Sequence, residues 1–192
     1  MTAIAGIVLA AGRARRMGRD KRLAEIDGVP MVVLAVRAAL EAGLDPVVVV
    51  TGPEPLSVLP PDVVVVVNPA PERGMASSLA LGTAALSADS AAAVVLLGDM
   101  PRVTASHVAA LAAAYAPALG REIVVPVSGG RRGNPVLLGR RFFAEMQGLT
   151  GDKGARGLLF QYGDAVVEVE MDESVLIDVD TPEDLKALDG GS

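Results

Sequence analysis

Residues 9–21 read LAAGRARRMGRDK and join an apolar run, residues 4–10, to a basic loop that contains glycine. Gly12 and Gly18 allow the backbone to turn sharply and to approach a ligand closely. Six of the ten residues from 13 to 22 are basic: Arg13, Arg15, Arg16, Arg19, Lys21 and Arg22. Backbone N–H groups in such a turn, surrounded by guanidinium groups, suit a polyanion such as a nucleoside triphosphate. A solvated basic loop is the alternative, disfavoured because α/β proteins bind ligands where a buried strand ends.

Two common phosphate-binding loops are excluded by the same residues. A Walker A motif requires Gly-Lys followed by Ser or Thr, and neither Gly12 nor Gly18 precedes a lysine. The GxGxxG dinucleotide fingerprint requires a second glycine at position 14, which is Ala14. The loop is therefore a phosphate cradle of another type.

Length and composition restrict the class of protein. With 192 residues, 51% of them hydrophobic, we expect one domain over residues 1–189 and a short tail at 190–192. The apolar runs are too short to span a bilayer, no signal-peptide pattern is present and cysteine is absent. A cytoplasmic location without a membrane partner is the expectation. The net charge of −6 argues against nonspecific nucleic-acid binding.

Strand-like and helix-like segments alternate along the chain. Strands are predicted at residues 4–10, 47–51, 63–67, 92–97, 123–127, 136–138, 165–169 and 175–178. Helices are predicted at residues 32–42, 75–86, 104–115, 140–147, 153–162 and 182–188. Several strands are continuous apolar runs, typical of strands buried on both faces of a parallel sheet. The pattern predicts an α/β fold with three layers, α/β/α.

Asp99 follows another buried strand, in the segment LLGDMP at residues 96–101. Ligands of open α/β sheets bind at that edge, and Gly98 permits a close approach. A carboxylate there suits Mg²⁺, which prefers oxygen ligands and usually bridges to phosphates. A turn or capping aspartate is the alternative, and the basic loop favours the metal.

Asp178 and Asp180 form a second acidic site, in IDVDTPED at residues 177–184. Because they are two residues apart, they point the same way in an extended segment. One of them could complete the metal shell, with Asp180 preferred over a cap or turn role. Glu183 and Asp184 are better explained by the first turn of a helix, where negative charge is favourable.

Other candidates are less specific. Ser77 and Ser78 lie at a helix start, where they would either help to bind an anion or cap the helix. The polar segments at residues 131–135 and 151–156 could contact an acceptor phosphate; their candidates are Asn134, Asp152 and Arg156. His107, the only histidine, lies in a predicted helix and is interpreted as structural.

In chain order, these segments resemble the molybdenum cofactor cytidylyltransferases, within the broader molybdopterin nucleotidyltransferase-like family. The resemblance covers nearly the whole chain and rests on LAAGRARRMGRDK (9–21), GMASSL (74–79), GDMP (98–101), GNPV (133–136), GDKGAR (151–156) and IDVDTPEDL (177–185). It implies a mixed, mostly parallel sheet like that of nucleotide-diphospho-sugar transferases. It also implies Mg²⁺-dependent transfer of a nucleoside monophosphate from a triphosphate to a phosphorylated acceptor.

Combined with the charge pattern, the resemblance implies a role for each candidate. The base of CTP would lie against the backbone of Leu9, Ala10, Ala11 and Gly12. Arg13, Arg16 and Lys21 would surround the triphosphate, and Asp99 with Asp180 or Asp178 would hold Mg²⁺. The catalytic set would then be Arg16, Lys21 and Asp99. The terminal phosphate of molybdopterin would be the acceptor.

Three positions bear on the finer specificity. Ala11 resembles the cytidylyl enzymes, whereas the guanylyl relatives usually have glycine there. Ala14 stands where the family commonly has serine, so a side-chain contact with phosphate is not expected there. Asn134 replaces a common histidine, which weakens the assignment of the acceptor. The alternatives are a guanylyltransferase, a nucleotidyltransferase for another phosphorylated metabolite such as a sugar phosphate, and a noncatalytic nucleotide sensor.

Overall fold

The centre of the fold is a buried parallel strand, β1 (Ile4–Ala10), in a computed structural model that describes residues 3–12, 21–151 and 154–189. On one side β1 pairs in parallel with β4 (Val47–Thr51), and on the other with β6 (Ala92–Leu97). These three strands have the predicted bounds. Their continuous apolar runs are buried on both faces, as the pattern indicates.

Eight strands of the described residues form one mixed sheet. Its remaining members are β5 (Val64–Val67), β7 (Ile123–Ser128), β8 (Arg131–Arg132), β9 (Val136–Gly139) and β10 (Val166–Glu170). The order is β10-β7-β9-β6-β1-β4-β5, with β8 paired to β7. β9 is antiparallel to β6 and β7, β8 is antiparallel to β7, and the other pairs are parallel. This arrangement confirms the predicted mixed, mostly parallel sheet.

Helices cover both faces of the sheet. They are α1 (Met31–Glu41), α2 (Met75–Ala84), α3 (Ala105–Ala114), α4 (Phe143–Gly148), α5 (Arg156–Gln161) and α6 (Pro182–Asp189). One core joins α1 and α3 to the sheet face that carries Val8 and Val94. The other joins α2, α4 and α5 to the face that carries Ile7 and Val95. The alternation of side chains along β1 and β6 thus produces the predicted three layers.

Several predicted elements differ from the structure. The strand predicted at 175–178 is wrong: residues Glu173–Leu176 form a 3₁₀ helix, which Asp172 caps by accepting a hydrogen bond from the Ser174 N–H (2.8 Å). The helix predicted at 140–147 is divided into a 3₁₀ turn, Arg140–Phe142, and α4. Sequence patterns also miss a small hairpin of β2 (Glu25–Ile26) and β3 (Val29–Pro30).

His107 is structural, as interpreted from the sequence. Its Nδ1 accepts a hydrogen bond from the Thr104 N–H (3.1 Å) in a capping box at the start of α3. Its Nε2 lies 3.2 Å from an oxygen of Asp172.

Within the described ranges, no helix has both the length and the apolar character needed to cross a membrane. The single domain over residues 1–189 stays a prediction.

The packing of α2 on the sheet depends on Gly82. A Cβ atom at this position would lie 2.7 Å from Ile7 Cγ2 and 2.9 Å from Val50 Cγ2. Both neighbours are fully buried and branched, so they cannot move aside easily. The absence of a side chain at residue 82 therefore sets how closely α2 approaches β1 and β4.

We expect Gly82→Ala to lower the free energy of unfolding by about 1–3 kcal/mol, the usual cost of overpacking a core. Gly157→Ala is the matched control, because it lies in α5 with no atom within 4 Å of its added Cβ. That control should gain roughly 0.5–1 kcal/mol from helix propensity. Chemical denaturation of both variants measures the difference, and equal effects would contradict the packing argument.

Candidate functional site

The site forms where β1 and β6 end at the same edge of the sheet. The strands are in register, with Leu9 beside Leu97, so the residues that follow each strand emerge together. The Gly98 N–H donates a hydrogen bond to the Leu9 carbonyl (3.0 Å). A Cβ on Gly98 would lie 3.2 Å from that same oxygen, closer than ordinary contact. Glycine at position 98 thus lets Asp99 follow the strand directly over the end of β1.

Lys21 bridges two acidic side chains at this edge. Its Nζ donates hydrogen bonds to Asp99 Oδ2 (3.0 Å) and Asp180 Oδ1 (2.6 Å). Burial opposes the charge of Lys21, but the hydrogen bonds and negative charges of Asp180 and Asp99 prevail and raise its pKa above the ordinary value. The ammonium group is therefore charged at neutral pH and offsets part of the repulsion between the two carboxylates.

Asp178 lies beside this cluster, in the segment that leads to Asp180. Burial and then the charges of Asp180 and Asp99 raise the pKa of its carboxyl group above the ordinary range. Asp178 and Asp180 line the same cavity, although a 3₁₀ helix stands where a strand was predicted at 175–178. The structure thus brings together the three carboxylates singled out in the sequence. Of these three, Asp99 and Asp180 are in hydrogen-bonding contact with the Lys21 ammonium group.

Backbone hydrogen bonds hold the segment of residues 175–180 against the sheet edge. The Val175 carbonyl accepts from the Asn134 N–H (2.9 Å), and the Asp99 carbonyl accepts from the Val179 N–H (3.0 Å). A Cβ on Gly133 would overlap the Val175 carbonyl, so only glycine permits this approach. The turn at residues 133–134 therefore positions the distant carboxylates of the C-terminal segment.

Two cavities meet at the shared carboxylates. The loop cavity, of about 740 Å³, lies beside the end of β1 and is lined by Leu9, Ala10, Ala11, Gly12, Lys21, Arg22, Pro71, Gly74, Met75, Ser78, Leu97, Gly98, Asp99 and Asp180. The arginine cavity, of about 600 Å³, holds Arg131, Arg132, Asn134 and Arg156 together with Asp178. Leu9, Met75, Leu97, Asp99 and Asp180 line both. Both volumes are in the range of small-ligand sites.

The predicted site residues other than Ser77 fall into three groups by position. Those on the loop cavity are Leu9, Ala10, Ala11, Gly12, Lys21, Ser78, Asp99 and Asp180. Those on the arginine cavity alone are Asn134, Arg156 and Asp178. Arg13, Arg16 and Asp152 lie outside the described residues. The roles of all of them stay predictions.

Ser77 is the one described candidate that lines neither cavity. Its hydroxyl group donates to the Gly74 carbonyl (2.8 Å) and accepts from Asn68 Nδ2 (2.9 Å). Asn68 Nδ2 also donates to Ser78 Oγ (2.9 Å), while its Oδ1 accepts from the Ala70 N–H (2.9 Å). Buried Asn68 thus fixes the two serines, a contact that the sequence alone does not reveal because the serines lie beyond a turn.

Arg22 also belongs to the site without being assigned a role from the sequence. It is 8% exposed, its Nη1 donates to the Ala10 carbonyl (3.3 Å), and its Nη2 lies 3.6 Å from Glu54 Oε2. Arg22 is buried, whereas arginines such as Arg131 and Arg132 are exposed. In the sequence it is one of six basic residues, and nothing there distinguishes it from its neighbours.

The donor set fits a hard divalent cation. Asp99 and Asp180 place one oxygen each against a single ammonium group, so the two oxygens are close enough to share a cation. In residues 3–12, 21–151 and 154–189, no group of three or more His, Cys, Asp or Glu side chains is disposed to hold a metal. Two carboxylates with phosphate oxygens and water are the usual Mg²⁺ shell, so two protein ligands suffice.

Comparison with known proteins places the chain among nucleotidyltransferases. The model of the MobA-like NTP transferase domain matches residues 6–166. Purine catabolism protein PucB of Bacillus subtilis is 33% identical over 193 residues, covering 93% of this chain and 92% of that protein. A probable molybdenum cofactor guanylyltransferase of Opitutus terrae is 49% identical over 49 residues, which cover 26% of this chain and 24% of that protein.

Solved structures agree with the fold. Crystalline Rv0371c of Mycobacterium tuberculosis H37Rv has a TM-score of 0.83 and 28% identity, covering 99% of both chains. A complex of the same protein with manganese has a TM-score of 0.79 and 28% identity, covering 100% of both. Because the family model spans most of the sequence, the chain belongs to the MobA-like NTP transferase domain family and is a nucleotidyltransferase.

Proposed function

We propose that this chain transfers CMP from CTP to the terminal phosphate of molybdopterin, or of its molybdenum-bound form, and releases pyrophosphate. The observation that carries the proposal is the position of Asp99 and Asp180. Both carboxylates line the loop cavity and the arginine cavity, and both contact the Lys21 ammonium group. A cation held there lies within reach of ligands in either cavity.

The loop cavity is the proposed site of the nucleoside triphosphate. Its wall includes the backbone after β1, where Ala11 and Gly12 leave the sheet, and the ammonium group of Lys21. Backbone groups at a strand end suit the edge of a base, while cations suit the phosphates. The proposed triphosphate contacts of Arg13 and Arg16 involve residues outside those described.

The arginine cavity is the proposed acceptor site. Arg131, Arg132 and Arg156 supply guanidinium groups, and apolar side chains such as Leu79 and Val136 line the same cavity. This mixture suits a molecule that has a flat ring and a phosphate, because arginine binds phosphate through paired hydrogen bonds. Molybdopterin has both features, whereas a sugar phosphate lacks a flat ring.

Asp99 and Asp180 are the proposed ligands of Mg²⁺. When bound, the cation would neutralise negative charge on the α-phosphate and on the departing pyrophosphate. The likeness to a protein crystallised with manganese supports a divalent cation without distinguishing Mg²⁺ from Mn²⁺. Asp180 is the better placed of the two C-terminal carboxylates, because it contacts the same Lys21 ammonium group as Asp99.

The proposed chemistry is a single in-line displacement at phosphorus. An oxygen of the acceptor phosphate forms a bond to the α-phosphorus, and the bond from that phosphorus to the α,β-bridging oxygen breaks. Pyrophosphate leaves with the electron pair. The attacking oxygen is already anionic, so no side chain needs to remove a proton, and positioning with charge neutralisation accounts for the catalysis. Lys21, no longer bonded to the two carboxylates, would contact the triphosphate.

GTP is the second candidate donor, because the Opitutus relative is named a guanylyltransferase. PucB is named for purine catabolism, which specifies a process but not a reaction. Ala11 supports CTP, since its buried methyl group lines the loop cavity and reduces the space beside a base. Pyrophosphate release with each of four nucleoside triphosphates, with molybdopterin or sugar phosphates as acceptor, separates these possibilities and tests the proposal.

Asp99→Asn should lower turnover by roughly 10²-fold or more, the scale of losing a key electrostatic group, because it keeps the size but removes the anionic ligand. Asp62→Asn, at an exposed loop position, is the control and should retain wild-type turnover. Steady-state kinetics over a range of Mg²⁺ concentrations, with unfolding curves to confirm the fold, measure the effect. Near-wild-type, Mg²⁺-dependent turnover of Asp99→Asn would refute its assignment as metal ligand.

Lys21→Met should strengthen Mn²⁺ binding to the nucleotide-free protein several-fold while it slows transfer. The reason is that the ammonium group and the metal compete for Asp99 and Asp180 when no triphosphate is present. Isothermal titration calorimetry with Mn²⁺ measures the affinity, and Lys186→Met, an exposed change in α6, is the control. Weaker Mn²⁺ binding by Lys21→Met would exclude this competition.

Ala11→Gly should reduce a preference for CTP over GTP without reversing it. One methyl group in a pocket discriminates between ligands by about 1–3 kcal/mol, so other residues must contribute. The measurement is kcat/KM for both nucleotides with one acceptor, in the wild-type protein and in the variant. A wild-type preference for GTP would leave the guanylyltransferase candidate in place of the cytidylyltransferase.

A further inference from the structure

The carboxylate of Asp184 makes one more hydrogen bond than a helix cap requires. Its Oδ2 accepts from the Thr181 N–H (2.8 Å), and its own N–H donates to Thr181 Oγ1 (3.2 Å). These two bonds form a reciprocal capping box at the start of α6. The same Oδ2 also accepts from the Asp180 N–H (3.0 Å). The additional bond reaches the residue whose side chain holds Lys21.

The side chain of Asp180 has little packing to direct it. It is 59% exposed, so the direction of its carboxylate depends on how its backbone is held. On the preceding side, Val179 is fully buried and donates its N–H to the Asp99 carbonyl (3.0 Å). On the following side, the tie is the carboxylate of Asp184. The backbone of residue 180 is thus fastened once to the sheet edge and once to α6.

The hydrogen bond from the Asp180 N–H to Asp184 is a strong one, because its acceptor is a carboxylate. Hydrogen bonds from N–H groups to an ionised carboxylate are roughly twice as strong as neutral ones. The bond from the Asp180 N–H to the Asp184 carboxylate (3.0 Å) is of this charge-assisted type.

We infer that Asp184 is a positioning residue for Asp180: by holding the Asp180 N–H, it directs the neighbouring carboxylate toward the cation that Asp180 shares with Asp99. This inference rests on the proposed function, in which that cation is a divalent metal. It differs from a capping role, in which Asp184 would only begin α6 and contribute only to stability.

Thr181 provides the variant that separates the two roles. Thr181→Ala removes the side-chain half of the capping box but leaves the bond between Asp184 and the Asp180 N–H. Asp184→Ala removes both, and Asp184→Asn keeps an oxygen that can accept the bond. Glu183→Ala changes an exposed carboxylate in the same helical turn and controls for the loss of charge.

The experiment measures Mn²⁺ affinity by calorimetry, the Mg²⁺ concentration for half-maximal pyrophosphate release, and thermal unfolding for each variant. Asp184→Ala should weaken both metal measures about tenfold, the lower end for loss of a partner that orients a ligand. Asp184→Asn should recover much of this loss. Thr181→Ala and Glu183→Ala should keep wild-type metal dependence, although Thr181→Ala melts at a lower temperature.

Equal loss of metal affinity in Thr181→Ala and Asp184→Ala would overturn the inference, because destabilising the cap would then explain both. Wild-type metal dependence in Asp184→Ala would overturn it as well. Asp180→Ala keeps this outcome distinct from failure of the proposed function. If Asp180→Ala also leaves metal binding unchanged, the assignment of Asp180 as ligand is wrong; if it impairs binding while Asp184→Ala does not, only the positioning role is wrong. Should Asp184→Ala fail to fold, Asp184→Asn compared with Asp184→Ser provides the same contrast.

Discussion

The parallel pairing of β1 with β6 is the constraint on which the site depends. Because Leu9 lies beside Leu97, the chain leaves both strands at the same height, and the turn after one strand faces the aspartate after the other. Because residue 98 is glycine, the ends of β1 and β6 lie close enough for the Gly98 N–H to donate a hydrogen bond to the Leu9 carbonyl. A shift of this register by one residue would move Asp99 by more than 3 Å and exchange the faces of the sheet on which the side chains lie.

Like charges brought to this edge need a cation. Asp99 and Asp180 come from segments 81 residues apart, and their backbones are joined through the bond from the Val179 N–H to the Asp99 carbonyl. The Lys21 ammonium group forms ion pairs with both carboxylates. In the proposed reaction a divalent cation takes this place, and the charge of Lys21 becomes available to a triphosphate. In this proposal the same two carboxylates hold either the Lys21 ammonium group or a divalent cation.

The sequence predicts the central strands with their observed bounds, because Ile4–Ala10, Val47–Thr51 and Ala92–Leu97 are apolar runs with clear ends. It also predicts that Asp99 lies at a ligand-binding edge, since that follows from one strand and the turn after it. The strand predicted at 175–178 is wrong because the segment has the apolar pattern of a strand, and the only local signal against it is the capping aspartate at position 172. The contact of that segment with Asn134 depends on Gly133 meeting Val175 at close range, and no local pattern encodes a contact between residues so far apart.

The two cavities are lined largely by separate parts of the chain. The loop cavity uses the end of β1 and the start of α2, whereas the arginine cavity uses the turn at residues 131–134, the start of α5 and the segment before α6. Only the residues at their junction, including Asp99 and Asp180, belong to both. In the proposed reaction this means that substitutions in one wall change the choice of nucleotide and substitutions in the other change the acceptor, while the charge arrangement between them is preserved. In that scheme the shared carboxylates determine the reaction, whereas the identity of each substrate depends on the wall of its own cavity.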